Sequence, residues 1–285
     1  MNAPRPIWLI TNAASGSNDE AALAALEQCC SSNGLRVAYQ SDFPTHALPT
    51  PAMLDAGGID RVAVFAGDGT INALLTGLAG WSGAVLVLPG GTMNLLYHRL
   101  HGERSTEQVL AAVARGEAAM RRPGVIRCPY GTAFAGMLAG PGTSWGKVRE
   151  AMREVDVAGL AAGAVEAIEE TLAGDKIACR EPALGSPDGY PLVSLTPQDR
   201  GMEIEAYHAE SAGEYVEQAW ALLRRNFREG PHDVLGHSRS VRLASTHGEA
   251  FGLLVDGELV EAAAEVEFAL APCAVDLLAT ESDGL

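Results

Sequence analysis

The sequence predicts an α/β protein of two domains: a three-layer α/β domain with a mostly parallel sheet at the N-terminus, then a β-rich, sandwich-like domain. Three observations carry this. Units of strand, glycine-bearing polar loop and helix recur through roughly the first hundred residues, the pattern of an open parallel sheet. From Arg121 onward the chain changes to short stretches punctuated by Pro and Gly. Its last part reads as an antiparallel series with a tight Asp256-Gly257-Glu258 turn.

The first unit opens with a strand at Ile7 to Thr11, a loop from Asn12 to Ser17, and a helical segment carrying Leu23 and Leu26. Asn12, Ser15 and Ser17 suit a turn or a helix cap, and Gly16 permits close approach, so this loop is able to face a phosphate. Arg36 to Gln40 reads as a second strand, followed by a connection through Pro44, Pro49 and Pro51 and a short helix near Ala52 to Ala56.

Arg61 to Leu78 is the centre of the sequence. Val62, Val64 and Phe65 form an apolar run too short for a helix, while Ile71, Leu74, Leu75 and Leu78 recur at helical spacing. Between them stands Gly67-Asp68-Gly69-Thr70. Two glycines let the backbone approach a ligand, and a helix starting at Thr70 points unpaired N–H groups at whatever occupies the turn. The result is an anion site containing a carboxylate, an arrangement that makes chemical sense with a metal ion or a proton transfer. A third unit follows, with a strand at Ala84 to Leu88, a Pro89-Gly90-Gly91-Thr92-Met93-Asn94 loop and a helix carrying Leu95, Leu96 and Leu100.

A helix over about Thr106 to Gly116 closes the first domain, expected to span residues 1–120. The second is expected over 121–285, with its last strand or tail able to return to the first domain. Within it, Pro123 to Ala135 and Ile177 to Val193 are extended, and Met202 to Tyr207 alternates apolar with polar. Helices are expected over 147–155, 159–172 and 213–227, and further strands at Ser238 to Ala244, Ala250 to Val255, Leu259 to Leu270 and Val275 to Ala279.

Composition narrows the function. The 285 residues are 47% hydrophobic, enough for a real core, and the formal net charge of -16 opposes binding to nucleic acid or broad contact with anionic lipid. No apolar run reaches the roughly 18 residues of a membrane span, and the N-terminus lacks the apolar stretch of a signal peptide, so a cytoplasmic protein with local membrane contact is expected. Cys29, Cys30, Cys128, Cys179 and Cys273 show no zinc or disulfide spacing and read as buried or inert. Neither Lys147 nor Lys176 follows a Walker A glycine pattern, so any nucleotide is held without a P-loop lysine. His98, Arg99 and His101, and the pairs Arg121-Arg122 and Arg224-Arg225, read as solvated faces, and the alanine-rich 157–168 segment as core.

Taken together the loops resemble the diacylglycerol kinase catalytic-domain superfamily, with its bacterial lipid kinases, sphingosine kinases and ceramide kinases. Asn12-Ala13-Ala14-Ser15-Gly16 matches N-P-x-S-G, Ala66-Gly67-Asp68-Gly69-Thr70 matches G-G-D-G-T, Leu88 to Asn94 matches L-P-x-G-T-x-N, and Asp256-Gly257-Glu258 matches a late D-G-E. The resemblance implies a lipid kinase using ATP and Mg2+, with a lipid substrate met at the membrane surface. It also implies nucleotide contacts at Asn12, Ser15, Gly16, Gly67, Asp68, Gly69, Thr70, Asn72, Gly91, Thr92, Asn94 and Asp256, with Ser41 or Thr45 as the hydroxyl after the second strand. Asp68 or Glu258 would be the general base, Asp68 a metal ligand, and Asp199 of Asp199-Arg200-Gly201-Met202 a faint match to the family's structural Mg2+ loop.

Departures are local. Ala13 and Ala66 replace Pro and Gly, and the 136–145 stretch lacks the acid that some bacterial diacylglycerol kinases carry, which bears on the acceptor rather than on phosphoryl transfer. NAD kinase shares the glycine loop but follows with an acidic dipeptide, where this chain has Asn94-Leu95 and Asn72-Ala73. A catalytically silent nucleotide- or lipid-binding regulator is the third alternative. The sequence leaves a homodimer open.

Overall fold

The structure, a computed structural model, describes residues 5–12, 20–144, 174–207 and 232–281. The helices expected over 147–155, 159–172 and 213–227 lie outside the described residues, as do Ser15, Gly16 and the arginines at 224 and 225. The chain divides into two units: residues 1–123 with 272–285, and residues 124–271.

The first unit contains β1 (Arg5–Thr11), α1 (Glu20–Ser32), β2 (Leu35–Asp42), α2 (Pro51–Ala56), β3 (Arg61–Ala66), α3 (Asp68–Gly77), β4 (Ala84–Pro89), α4 (Leu95–His101), α5 (Thr106–Arg115) and β5 (Ala119–Arg121). Its sheet has the order β2-β1-β3-β4-β18-β5, where β18 (Asp276–Ala279) comes from the far end of the chain. Pairing is parallel from β2 through β18, and β5 joins antiparallel. The continuous apolar runs of β3 and β4 follow from burial on both faces: Val62, Val64, Val85, Val87 and Leu88 are at most 1% exposed.

Local chemistry sets the helix ends. The Thr50 hydroxyl accepts the Met53 N–H, and Pro51 occupies the first turn of α2, where its missing donor costs nothing. Ser105 and Gln108 form a reciprocal capping box at the start of α5, and Gly116 ends that helix at φ 75°. For α3 the start lies two residues earlier than periodicity alone predicts, so Asp68, Gly69 and Thr70 form its first turn.

Val275 to Ala279 is the element whose neighbours differ most from a simple antiparallel series. Leu277 and Leu278 are buried beside β4 and β5, because the sheet of the first unit leaves an apolar slot between those strands. Arg104 closes this junction. Its guanidinium donates to the Thr280 carbonyl at 3.0 Å and pairs with Glu281 at 2.7 Å, while the Leu100 carbonyl accepts the N–H groups of both Thr280 and Glu281.

The second unit begins with β6 (Gly124–Cys128), β7 (Gly131–Ala133) and β8 (Met137–Ala139), and continues with β9 (Ile177–Glu181), β10 (Ala183–Leu184), β11 (Leu192–Gln198) and β12 (Gly201–Tyr207). It ends with β13 (His232–Ser238), β14 (Ser240–Ser245), β15 (Phe251–Val255), β16 (Glu258–Ala262) and β17 (Glu265–Pro272). They make two six-stranded sheets, β10-β9-β14-β17-β6-β7 and β13-β12-β11-β8-β15-β16. Alternate residues of both, including Val241, Leu243 and Phe268 from one and Val193, Leu195 and Ile204 from the other, enter a single core.

Among the basic residues one expectation is corrected. His101 is fully buried, since α4 turns it into the packing against β18 rather than toward water. Arg122 is half exposed and pairs with Asp276 at 3.0 Å. All five cysteines are free, and burial raises the pKa of each thiol, to about 11 for Cys30 and Cys179, which makes them poor nucleophiles.

Candidate functional site

In the first unit β1, β3 and β4 are neighbours running the same way, with Thr11 opposite Phe65 and Ala66 opposite Pro89. Their C-terminal tips therefore lie side by side. β1 is flanked by β2 on one side and β3 on the other, so the connection order reverses there. At such a point the helices after adjacent strands leave on opposite faces and a crevice opens between the loops.

Asn12 and Thr70 meet across that crevice. The Asn12 Nδ2 donates to the Thr70 Oγ1 at 2.9 Å, tying the loop after β1 to the first turn of α3. Thr70 is itself buried at 7% exposure, which makes its hydroxyl a fixed acceptor rather than a mobile surface group.

The second and third loops interlock through backbone. A Cβ on Gly90 would lie 2.4 Å from the Ala66 nitrogen and 2.6 Å from the Phe65 carbonyl carbon, and one on Gly91 would lie 2.7 Å from the Gly67 Cα. Only glycine allows this approach. Asn94, at φ 51°, closes the third loop on itself: its Oδ1 accepts from the Gly91 N–H at 2.7 Å, and its Nδ2 donates to the Gly91 carbonyl at 3.0 Å. The buried amide of Asn94 thus shapes the loop from within.

Asp68 stands half-buried in the first turn of α3, with Oδ1 3.5 Å from the Leu96 N–H in the first turn of α4. An acid at these two N-termini is favoured by the unpaired N–H groups that helices leave there. Thr92 is exposed at the tip of the third loop, and Asn72, one turn into α3, accepts from the Thr76 hydroxyl at 3.4 Å. Among the described residues no group of three or more His, Cys, Asp or Glu is placed to hold a metal. A divalent ion here would need to share its ligands between Asp68 and phosphate oxygens, as Mg2+ commonly does.

Ser41 is differently engaged. Its buried hydroxyl accepts from the Trp8 Nε1 at 3.0 Å, and Trp8 stacks on Tyr39 with ring centroids 4.7 Å apart, so Ser41 supports packing at the β1–β2 edge. At the strand tips the polar pair is instead Thr11 and Asp42, 3.4 Å apart, which sequence reasoning missed. Their facing positions follow from the Thr11–Asp42 register, which no local pattern reveals. Thr45 is exposed on the turn beyond β2.

In the second unit Asp256 (φ 48°) and Gly257 (φ 92°) form a two-residue turn of the hairpin type between β15 and β16. Glu258 is the exposed first residue of β16. The Asp256 carboxylate is buried and accepts three backbone N–H groups from the β7–β8 connection. Asp199 sits exposed on the β11–β12 turn with no cluster of metal donors about it among the described residues.

A parallel sheet with glycine-rich loops at its switch point is the arrangement in which open α/β domains take ligands beyond the carboxyl ends of their strands. Residues 6–122 match the model of the diacylglycerol kinase catalytic domain. Among solved structures, a diacylglycerol kinase from Bacillus anthracis strain Sterne aligns over 97% of each chain with 12% identity and a TM-score of 0.60. Two further structures from the same organism align at 13% identity over 97% of each chain, with TM-scores of 0.58 and 0.57. At such identities the likeness is one of fold. A comparison with the curated proteins finds no match.

Proposed function

We propose that the protein is a lipid kinase that transfers the γ-phosphoryl group of ATP to a hydroxyl of a diacylglycerol-, ceramide- or sphingoid-type lipid. The observation that carries this reading is the Asn12–Thr70 bond across the switch point, beside two glycine loops pressed backbone to backbone. Phosphoryl transfer asks the protein for positioning and charge neutralisation. Backbone N–H groups at the start of α3 and the exposed Thr92 hydroxyl supply donors for the polyphosphate. Asp68 would be the residue that holds a divalent ion there. Bound Mg2+ supplies neutralisation of the charge that develops on the phosphate oxygens. The proton of the lipid hydroxyl goes to a carboxylate, Asp68 or Glu258. Its contribution is one of position, because carboxylates are weak general bases.

No helix among the described residues is long and apolar enough to cross a membrane; the reading has the lipid met at the membrane surface. The test is a screen of purified protein with radiolabelled ATP and Mg2+ against mixed micelles of diacylglycerol, ceramide, sphingosine or phosphatidylglycerol, with NAD as a soluble acceptor. Label should enter one lipid class and disappear with Asp68→Asn. Nucleotide binding without transfer to any lipid would favour a silent regulator, and transfer to NAD alone would overturn the lipid assignment.

A further inference from the structure

We infer that Asp256 is a positioning residue, which locks the turn carrying Glu258 onto the 134–136 segment and touches no ligand itself. Its Oδ2 accepts the Phe134 N–H at 2.8 Å, and its Oδ1 accepts those of Ala135 and Gly136 at 2.8 and 3.1 Å. The Asp256 N–H in turn donates to the Gly136 carbonyl at 3.1 Å. Four hydrogen bonds thus join two short segments more than a hundred residues apart in the chain, and the acid is only 7% exposed. Three successive amides around one carboxylate are a charge-assisted cradle, in which the negative charge is already satisfied by the protein.

The geometry explains why an acid is required. An aspartate side chain offers acceptors on both oxygens, whereas an asparagine keeps one and turns an NH2 group toward an N–H. The 136–145 stretch contains no acid of its own, yet its first amide is held by this one. Glu258 is two residues further on, with Val255 opposite it on β15 and Met137 opposite Val255 on β8. Releasing the anchor therefore frees both the turn and the start of β8, and with them the backbone that aims Glu258.

This inference deepens the kinase reading and rests on it for the role of Glu258. Asp256→Asn should lower kcat at least tenfold while leaving the affinity for MgATP within twofold, and combining it with Glu258→Gln should reduce turnover little beyond Glu258→Gln alone. A tenfold loss of MgATP affinity with unchanged kcat would overturn it, making Asp256 a ligand contact. A second measurement needs neither activity nor a mutant: hydrogen exchange in the wild-type protein without ligand. The amides of Phe134, Ala135 and Gly136 lie outside any strand, and should nonetheless exchange as slowly as those of β8. Rapid exchange there would remove the anchor. If no lipid is phosphorylated, the kinase reading fails while the exchange result still decides whether the anchor exists.

Discussion

The side-chain amide of Asn12 donates to the hydroxyl of Thr70 at 2.9 Å, across 58 positions of sequence. Through it the end of β1 and the first turn of α3 are held together. Asn12→Ala removes a partly buried hydrogen bond of about 1 kcal/mol, equivalent to a factor of about five in an equilibrium constant. The expected outcome is a rise of about fivefold in KM for ATP with kcat less affected, measured by steady-state kinetics. A lower kcat with unchanged KM would place the pair in the chemical step.

Gly90 presses against the backbone of Ala66, where no side chain is available to move aside. Gly90→Ala should therefore lower stability by about 1–3 kcal/mol or more, as overpacking against rigid neighbours does. Urea unfolding should show the loss, and nucleotide affinity should fall with it because the two loops are forced apart. Gly80 offers a contrast: an added Cβ there meets no atom, and the cost comes only from its φ of 83°.

Asp68 is the single acid shared by the first turns of α3 and α4. Asp68→Asn should leave thermal unfolding within a few degrees of the parent and reduce phosphoryl transfer on the order of a hundredfold or more, with a raised Mg2+ requirement for the residual activity. A Mg2+ titration of the initial rate distinguishes this from a loss of ATP binding, in which the Mg2+ dependence would stay where it was.

His101 makes stability depend on pH. Burial, reinforced by the nearby Arg104 charge and opposed by the Val87 carbonyl, lowers its pKa from 6.5 to about 4. The unfolded chain binds this proton below about pH 6.5 and the folded chain does not, so stability is full above 6.5 and falls as the pH drops toward 4, by about 3 kcal/mol in all. His101→Gln, which keeps a partner for Thr280 and does not titrate, should flatten that slope by about one proton in urea unfolding series at pH 7.5, 6 and 5.

The strand, glycine-loop and helix units around Thr11, Ala66 and Pro89 are legible in the sequence because each is dictated by near neighbours. Apolar runs make buried strands, glycines permit tight turns, and Ser105 with Gln108 three residues later starts a helix wherever it stands. The mixed character of the chain, a parallel sheet first and β-rich structure after, follows from the same local rules.

Which polar group is spent inside the protein was decided by tertiary structure alone. Ser41 reads as a hydroxyl at a strand tip until Trp8 claims it, and His101 reads as solvated until β18 covers it. Asp256 likewise resembles an ordinary turn aspartate until the amides of residues 134–136 arrive at the head of the neighbouring strand β8. Local propensity acts over a few residues, whereas these hydrogen bonds join groups 30 to 180 positions apart and exist only once the strands have chosen their neighbours.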